Sequence, residues 1–294
     1  MKSGVKRTTP YKVISIIILV ILAILFLFPL YWIVTGAFKP TTDIYASQPV
    51  WWPSEWVTSN FEKLFTKRSA PLFEIGALVG PTVPAAIRWL VNTVFMSVAA
   101  MLLTCITAAM AGYALAKKRF VGRALLFSLI ICAMALPKQV ILIPLLKEMS
   151  ALKLYGSLWA VIFPTVGWPF GVFLMKQFCE GVPGEMLEAA RIDGASEART
   201  FTQIVVPLIK PGIGALAIFT FINSWNDYFM QLVMLPNSAN FTISLGIATL
   251  QGESSVDTGL LMSGAALAAV PIIVVFLIFQ KYFTQGITMG AVKG

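Results

Sequence analysis

Five polar side chains recur along one otherwise apolar stretch: Thr220, Asn223, Ser224, Asp227 and Gln231, at offsets of 0, 3, 4, 7 and 11 residues. At about 100° per residue a helix gathers them within about 100° of arc, as one continuous polar stripe. Hydroxyls, amides and a carboxylate in a line can hydrogen-bond a polyhydroxylated solute. Tyr228 borders the stripe and offers an aromatic face, whereas Trp225 points elsewhere. Asp227 by itself could instead carry a proton or a cation. An ionised carboxylate near the middle of an apolar span costs roughly 2.5 to 3.5 kcal/mol, which disfavours a lipid-facing position. The stripe therefore lines a polar pathway or forms a hydrogen-bonded seam with a neighbouring membrane chain.

Other chemistries find little support in the residues. The chain has no histidine, the usual metal ligand and neutral-pH acid or base. Cys105, Cys132 and Cys179 have no paired spacing, so neither a disulfide framework nor a zinc site is indicated. No Gly-x-x-x-x-Gly-Lys-Ser/Thr pattern occurs to cradle nucleotide phosphates. We expect no catalytic residue, no metal and no cofactor held by this chain.

The elements that must position the stripe are membrane spans. Hydrophobic residues make up 58% of the chain and charged residues 12%, and the mean hydropathy is +0.83, which excludes an ordinary soluble domain. The net charge of +9 comes from Lys and Arg clusters beside apolar runs. These read as topology signals against membrane lipid rather than as a nucleic-acid surface. The expected order is a tail over 1–12, a first span over 13–38, an outer loop over 39–88, and a core over 89–283 with five further spans, then a tail over 284–294. The core spans are expected at Trp89 to Ala116, Ala124 to Leu146, Leu158 to Phe178, Gly212 to Leu235 and Leu260 to Phe283. Each has the roughly 20 residues that cross about 30 Å of hydrocarbon. The fold class expected is all-α, with six transmembrane helices. Placing both termini in the cytoplasm puts most of the 22 Lys and Arg residues on the inner side.

Several features inside this frame admit two readings. In the outer loop, Trp51, Trp52 and Trp56 could anchor at the membrane interface or face a partner. Lys138, next to Pro137 in the third span, could snorkel to the outer headgroups or sit at an outer gate. Pro164, Gly167, Trp168, Pro169 and Gly171 interrupt the fourth span, for a cavity or for packing. Residues 236–259 read as a polar outer loop, and no role is read for the Gly- and Pro-bearing part of the first loop.

The most polar connection between spans is EMLEAARIDGASEARTFTQIVVPLIKPG, residues 185–212. Its periodicity predicts a short amphipathic helix after Pro183 and Gly184, a bend at Gly194, and a second helix capped by Ser196 that runs to about Val206. Pro207 and Pro211 then turn the chain back. Glu188, Ala189, Ala190, Gly194, Ile204 and Pro207 resemble the Glu-Ala-Ala signature of the membrane subunits of bacterial ABC importers, with Val206 where that signature has leucine. The run SWNDYF at Ser224 to Phe229 and the ending GITMGAVKG are similar to the MalG type of carbohydrate permease in that family.

The resemblance implies a type I ABC importer permease fold. It implies that the 179–211 loop is a coupling element docking on a separate ATPase, with Glu188, Ala189, Ala190, Asp193, Gly194, Ile204 and Pro207 as its residues and Gly290 and Lys293 in a tail that also reaches the ATPase. It implies a second, MalF-like permease subunit, an ATPase subunit pair carrying ATP and Mg, an extracytoplasmic solute-binding protein and a carbohydrate substrate, in the bacterial cytoplasmic membrane. Two other readings stay open. One is an ion-coupled secondary transporter using Asp227. The other is an ABC permease for glycerol phosphate or another non-sugar solute.

Overall fold

The computed structural model of the chain describes residues 10–75, 78–251 and 257–291. Four described helices are long and apolar enough to cross a bilayer: Tyr11–Ala37, Ala85–Lys117, Trp159–Glu180 (with a local break) and Thr258–Gln280. Two bent helix pairs bring the number to six if each pair is one crossing.

The central element is the 33-residue helix Ala85–Lys117, about 50 Å long at 1.5 Å per residue. It packs against Pro169–Glu180, Lys210–Asn226 and Trp159–Val166. Small residues make the tightest of these contacts possible. A Cβ on Gly112 would lie 2.7 Å from the backbone of Met175 and Lys176, and one on Gly171 would touch Ala108 and Thr104 at 3.3 Å. The two backbones thus approach as only small side chains allow. Around this crossing Tyr113, Met175, Cys179, Val205 and Leu216 close an apolar core. The last helix, Thr258–Ala291, packs on Lys210–Asn226 and on the first helix, Pro10–Ala37, whose side chains are otherwise exposed from Tyr11 to Phe28. Gly290 lies in that last helix, and Lys293 falls outside the described residues.

Four expectations are corrected. The third span is not a single rod: Arg123–Met134 and Lys138–Ala151 meet at 109°. Pro137 has no N–H to continue the helix and disfavours helical geometry at Leu136. The fifth span also breaks, into Lys210–Asn226 and Tyr228–Met234, with Asp227 between them at φ −77°, ψ 69°. Residues 236–259 are not simply polar. Thr242 caps an apolar helix, Ile243–Leu250, whose Ile243, Leu245 and Leu250 are buried. The polarity of its flanks hid this short run. Finally, the chain is not entirely α-helical. Within residues 39–88 Ser69–Pro71 pairs antiparallel with Thr82–Pro84, and Glu74–Ile75 with Leu78–Val79.

The remainder of that loop is tied to the first helix. Asn60, on the helix Ser59–Thr66, donates to the carbonyls of Ala37 and Lys39 at 3.1 and 2.9 Å. Trp51 lies against Phe28 and Trp32, with centroids 5.9 and 5.8 Å apart, while Trp51, Trp52 and Trp56 keep more than half their surface exposed.

Candidate functional site: a polar cleft and an exposed bend

Three helix breaks bring side chains from three expected spans to one place. Lys138 begins the helix after the Pro137 bend, Trp168 precedes Pro169 at the break in the fourth span, and Asp227 separates the two halves of the fifth. The Lys138 ammonium lies 3.1 Å from Asp227 Oδ2 and 4.7 Å from the Trp168 ring centroid. Asp227 Oδ1 accepts from the Met230 backbone N–H at 3.3 Å, capping the short helix that follows. Lys138 therefore turns to a carboxylate and an aromatic ring of its own chain.

Beside this pair is a cavity of about 300 Å³ lined by Thr104, Thr165, Thr220 and Asn223 together with Trp168, Phe170 and Phe219. The Phe170 and Phe219 rings touch, with centroids 4.6 Å apart. Asn223 uses one amide N–H on the Phe219 carbonyl at 2.8 Å, which leaves the rest of the amide to the cavity.

The sequence stripe is divided by the break at Asp227. Thr220 and Asn223 line the cavity, and Asp227 stands beside it through Lys138. Ser224 and Gln231 point into the protein. Gln231, fully buried, donates to the Ser224 carbonyl at 3.1 Å and accepts from the Thr242 hydroxyl. The Ser224 hydroxyl is buried without a partner among the described residues. A single 100° periodicity cannot hold across a residue at ψ 69°, so the expected continuous stripe becomes a cleft wall and an internal seam. Tyr228 is half-buried against the core that contains Met230 and Met234, and Trp225 is buried beside Phe221. Lys138 and Trp168 are the cleft residues that the stripe argument missed.

At the far end of the central helix is an exposed helix-bend-helix. Gly184–Ile192 is the first helix, and it ends in a complete left-handed cap: Gly194 at φ 74°, its N–H on the Arg191 carbonyl at 3.1 Å, and the Ala195 N–H on that of Ala190 at 2.9 Å. Leu187 and Ala190 are buried, Leu187 within the core around Tyr113, while Glu185, Met186, Glu188, Ala189, Ile192 and Asp193 are exposed. Ser196 caps the second helix by accepting from the Arg199 N–H at 3.3 Å, as its position suggested. That helix widens to a π-turn over Phe201–Val205 before Pro207, whose ring would clash with the carbonyl a turn earlier in a regular α-helix. Ile204 is half-buried, Pro207 is exposed, and the chain then bends by 77° into Lys210–Asn226.

Two contacts of the central helix hold the bend. Lys117 donates to the carbonyls of Glu180 and Val182 at 3.1 and 2.6 Å. Glu197 accepts from the Tyr113 hydroxyl at 2.6 Å and pairs with Lys118. The hydrogen bond from Lys118, followed by that from Tyr113, holds the Glu197 carboxyl below its ordinary value. Glu197 was not among the expected loop residues, because only the fold shows that it lies against Tyr113.

Among the described residues no group of three or more Cys, Asp or Glu side chains is arranged to hold a metal. A profile of the family described as "Binding-protein-dependent transport system inner membrane component" matches residues 107–289. The chain is 34% identical over 275 residues to the arabinooligosaccharides transport system permease protein AraQ of Halalkalibacterium halodurans, covering 93% of each. It is 32% identical over 284 residues to the AraQ of Bacillus subtilis, covering 97% of this chain and 96% of that one. Its fold is similar to a chain in the crystal structure of a bacterial ABC transporter involved in the import of the acidic polysaccharide alginate, with a TM-score of 0.77 at 20% identity over 96% of this chain and 99% of that chain. A family match over more than half of the residues and relatives this similar over nearly the full length agree, and the chain belongs to the binding-protein-dependent transport system inner membrane component family, whose members are ABC transporter permease subunits and not enzymes.

Proposed function

We propose that this chain is one of two permease subunits of a bacterial ABC importer that carries a sugar or oligosaccharide across the cytoplasmic membrane. In this reading six spans cross the membrane, both termini are cytoplasmic, and the bend at Gly194 lies on the ATPase side. The observation that carries it is the two-faced bend. One face, Leu187 and Ala190, is buried, while Glu188, Ala189, Ile192 and Asp193 are offered outward on a capped helix. Small and apolar side chains rimmed by charge suit a protein partner that approaches closely. The AraQ relatives, named for arabinooligosaccharides, support a carbohydrate cargo. A MalF-like second permease, an ATPase pair carrying ATP and Mg, and an extracytoplasmic binding protein complete the assembly.

Closure of the ATPase pair would push on the helix around Glu188 and Gly194. Because Lys117, Lys118 and Tyr113 bind the bend to the central helix, the push passes into the spans and switches the direction in which the pathway opens. Ile204 and Pro207 set the angle at which the second helix re-enters the spans, and a tail containing Gly290 and Lys293 would add a second ATPase contact. Thr220, Asn223, Asp227 and Tyr228 are assigned to the pathway, and Ser224 and Gln231 to the seam that shapes it.

The test is uptake by vesicles containing the full transporter, with ATP inside and the binding protein outside. Gly194→Pro and Glu188→Lys should leave the complex assembled and hydrolysing ATP while uptake falls. Normal uptake by either variant would count against the lever. The ion-coupled alternative is disfavoured because Asp227 is already paired with Lys138 at 3.1 Å. It predicts that uptake follows an ion gradient and stops with an uncoupler.

A further inference from the structure

Resting on that reading, we infer that this chain itself holds cargo: the cleft between Trp168 and Asn223 is a subsite for one uncharged sugar ring. Size is the first argument. About 300 Å³ is at the small end of ligand cavities, where a ring fits and a folded oligosaccharide does not. The lining is the second. Trp168, Phe170 and Phe219 give flat apolar faces, and Thr165, Thr220 and Asn223 give hydroxyl and amide groups. A pyranose or furanose offers the matching surfaces, C–H on its faces and hydroxyls on its rim. Charge is the third argument. The one cation on the lining, Lys138, is already matched by Asp227 at 3.1 Å and lies over Trp168 at 4.7 Å. A carboxylate or phosphate on the cargo would have to break that pair, leaving Asp227 facing another anion. A neutral ring meets a site with no net charge and can hydrogen-bond to the pair without separating it.

The experiment uses the complete transporter, its binding protein and a panel of neutral trisaccharides (arabinotriose, maltotriose, raffinose), with a trisaccharide of uronic acids as the acidic probe. Whichever neutral probe is taken up is then made with a diazirine on one ring and photolysed on the transporter during turnover. Label should appear on this chain, on peptides containing Trp168 to Gly171 or Phe219 to Asn223. Asn223→Ala and Thr220→Val should each reduce labelling and uptake about threefold to tenfold, the worth of one or two neutral hydrogen bonds, in a complex that still assembles. Trp168→Phe, which keeps an aromatic face, should retain most of both. Label confined to the second permease, unchanged labelling in both variants, or uptake of the uronic trisaccharide as fast as the neutral ones would overturn the subsite while leaving the importer reading intact. Failure to take up any saccharide would overturn both.

Discussion

Removing the charge of Lys138 or Asp227 singly should harm the protein more than removing both. At 3.1 Å and an effective dielectric constant of about 20, the Coulomb attraction is about 5 kcal/mol. Much of that is offset by desolvation and by solvent screening, since the Lys138 side chain is 34% exposed and that of Asp227 15%. A coupling of about 1 to 2 kcal/mol remains, between the values for surface and buried pairs. Asp227→Asn isolates the charge, because asparagine is an equally good helix cap and keeps the bond to the Met230 N–H. Lys138→Met keeps the length and the apolar contact with Trp168. The assay is a double-mutant cycle on thermal unfolding of the purified transporter, with uptake measured alongside. Each single variant should lower the unfolding midpoint, and the double should recover most of the loss. A double variant whose loss equals the sum of the singles would refute the pairing argument.

Three further outcomes follow from particular contacts. Gly194→Val places a β-branched residue at φ 74°, which costs about 1 to 2 kcal/mol, so proteolysis of the exposed bend should accelerate while the bulk of the helices keeps its circular dichroism. The Glu197 carboxyl is held below its ordinary value of 4.5 by Lys118 and Tyr113, so its stabilising contribution is complete above that value and is lost as pH falls through the depressed one. Hydrogen exchange over 197–205 should therefore rise with acidification beyond the change in intrinsic rate, and Glu197→Gln should abolish that extra rise. A Cβ on Gly246 would fall 2.1 Å from the Trp89 ring, so Gly246→Leu should destabilise by about 1 to 3 kcal/mol through overpacking, read as a lower unfolding midpoint that Trp89→Ala partly restores.

How much of this was legible in the sequence depended on the range of the cause. Gly194 and Ser196 were read correctly because a left-handed cap and a side-chain cap are decided within a few residues. The break around Gly167 to Pro169 was visible for the same reason. The break at Asp227 was not, since neither Asn226 nor Tyr228 is a helix breaker. Asp227 caps the helix after the break and pairs with Lys138, 89 positions away in the chain, a contact that the local sequence does not carry. Without it the stripe reads as continuous, and Ser224 and Gln231 group with residues from which they diverge. Glu197 was missed likewise, because its partner Tyr113 lies 84 positions earlier. The Ile243–Leu250 helix escaped because eight residues between polar flanks are too few to register as a periodic segment.

Gly112 and Gly171 have no side chain of their own to act as a cushion where they meet Met175, Ala108 and Thr104. Parts joined in that way share displacement: the Pro169–Glu180 helix cannot slide along Ala85–Lys117 without atoms colliding. A displacement at the Lys117 end would then be carried along both helices together, and the interruptions at Pro137, Trp168 and Asp227 are places where the chain can yield. Stiffness along the shaft would direct flexing toward the cleft.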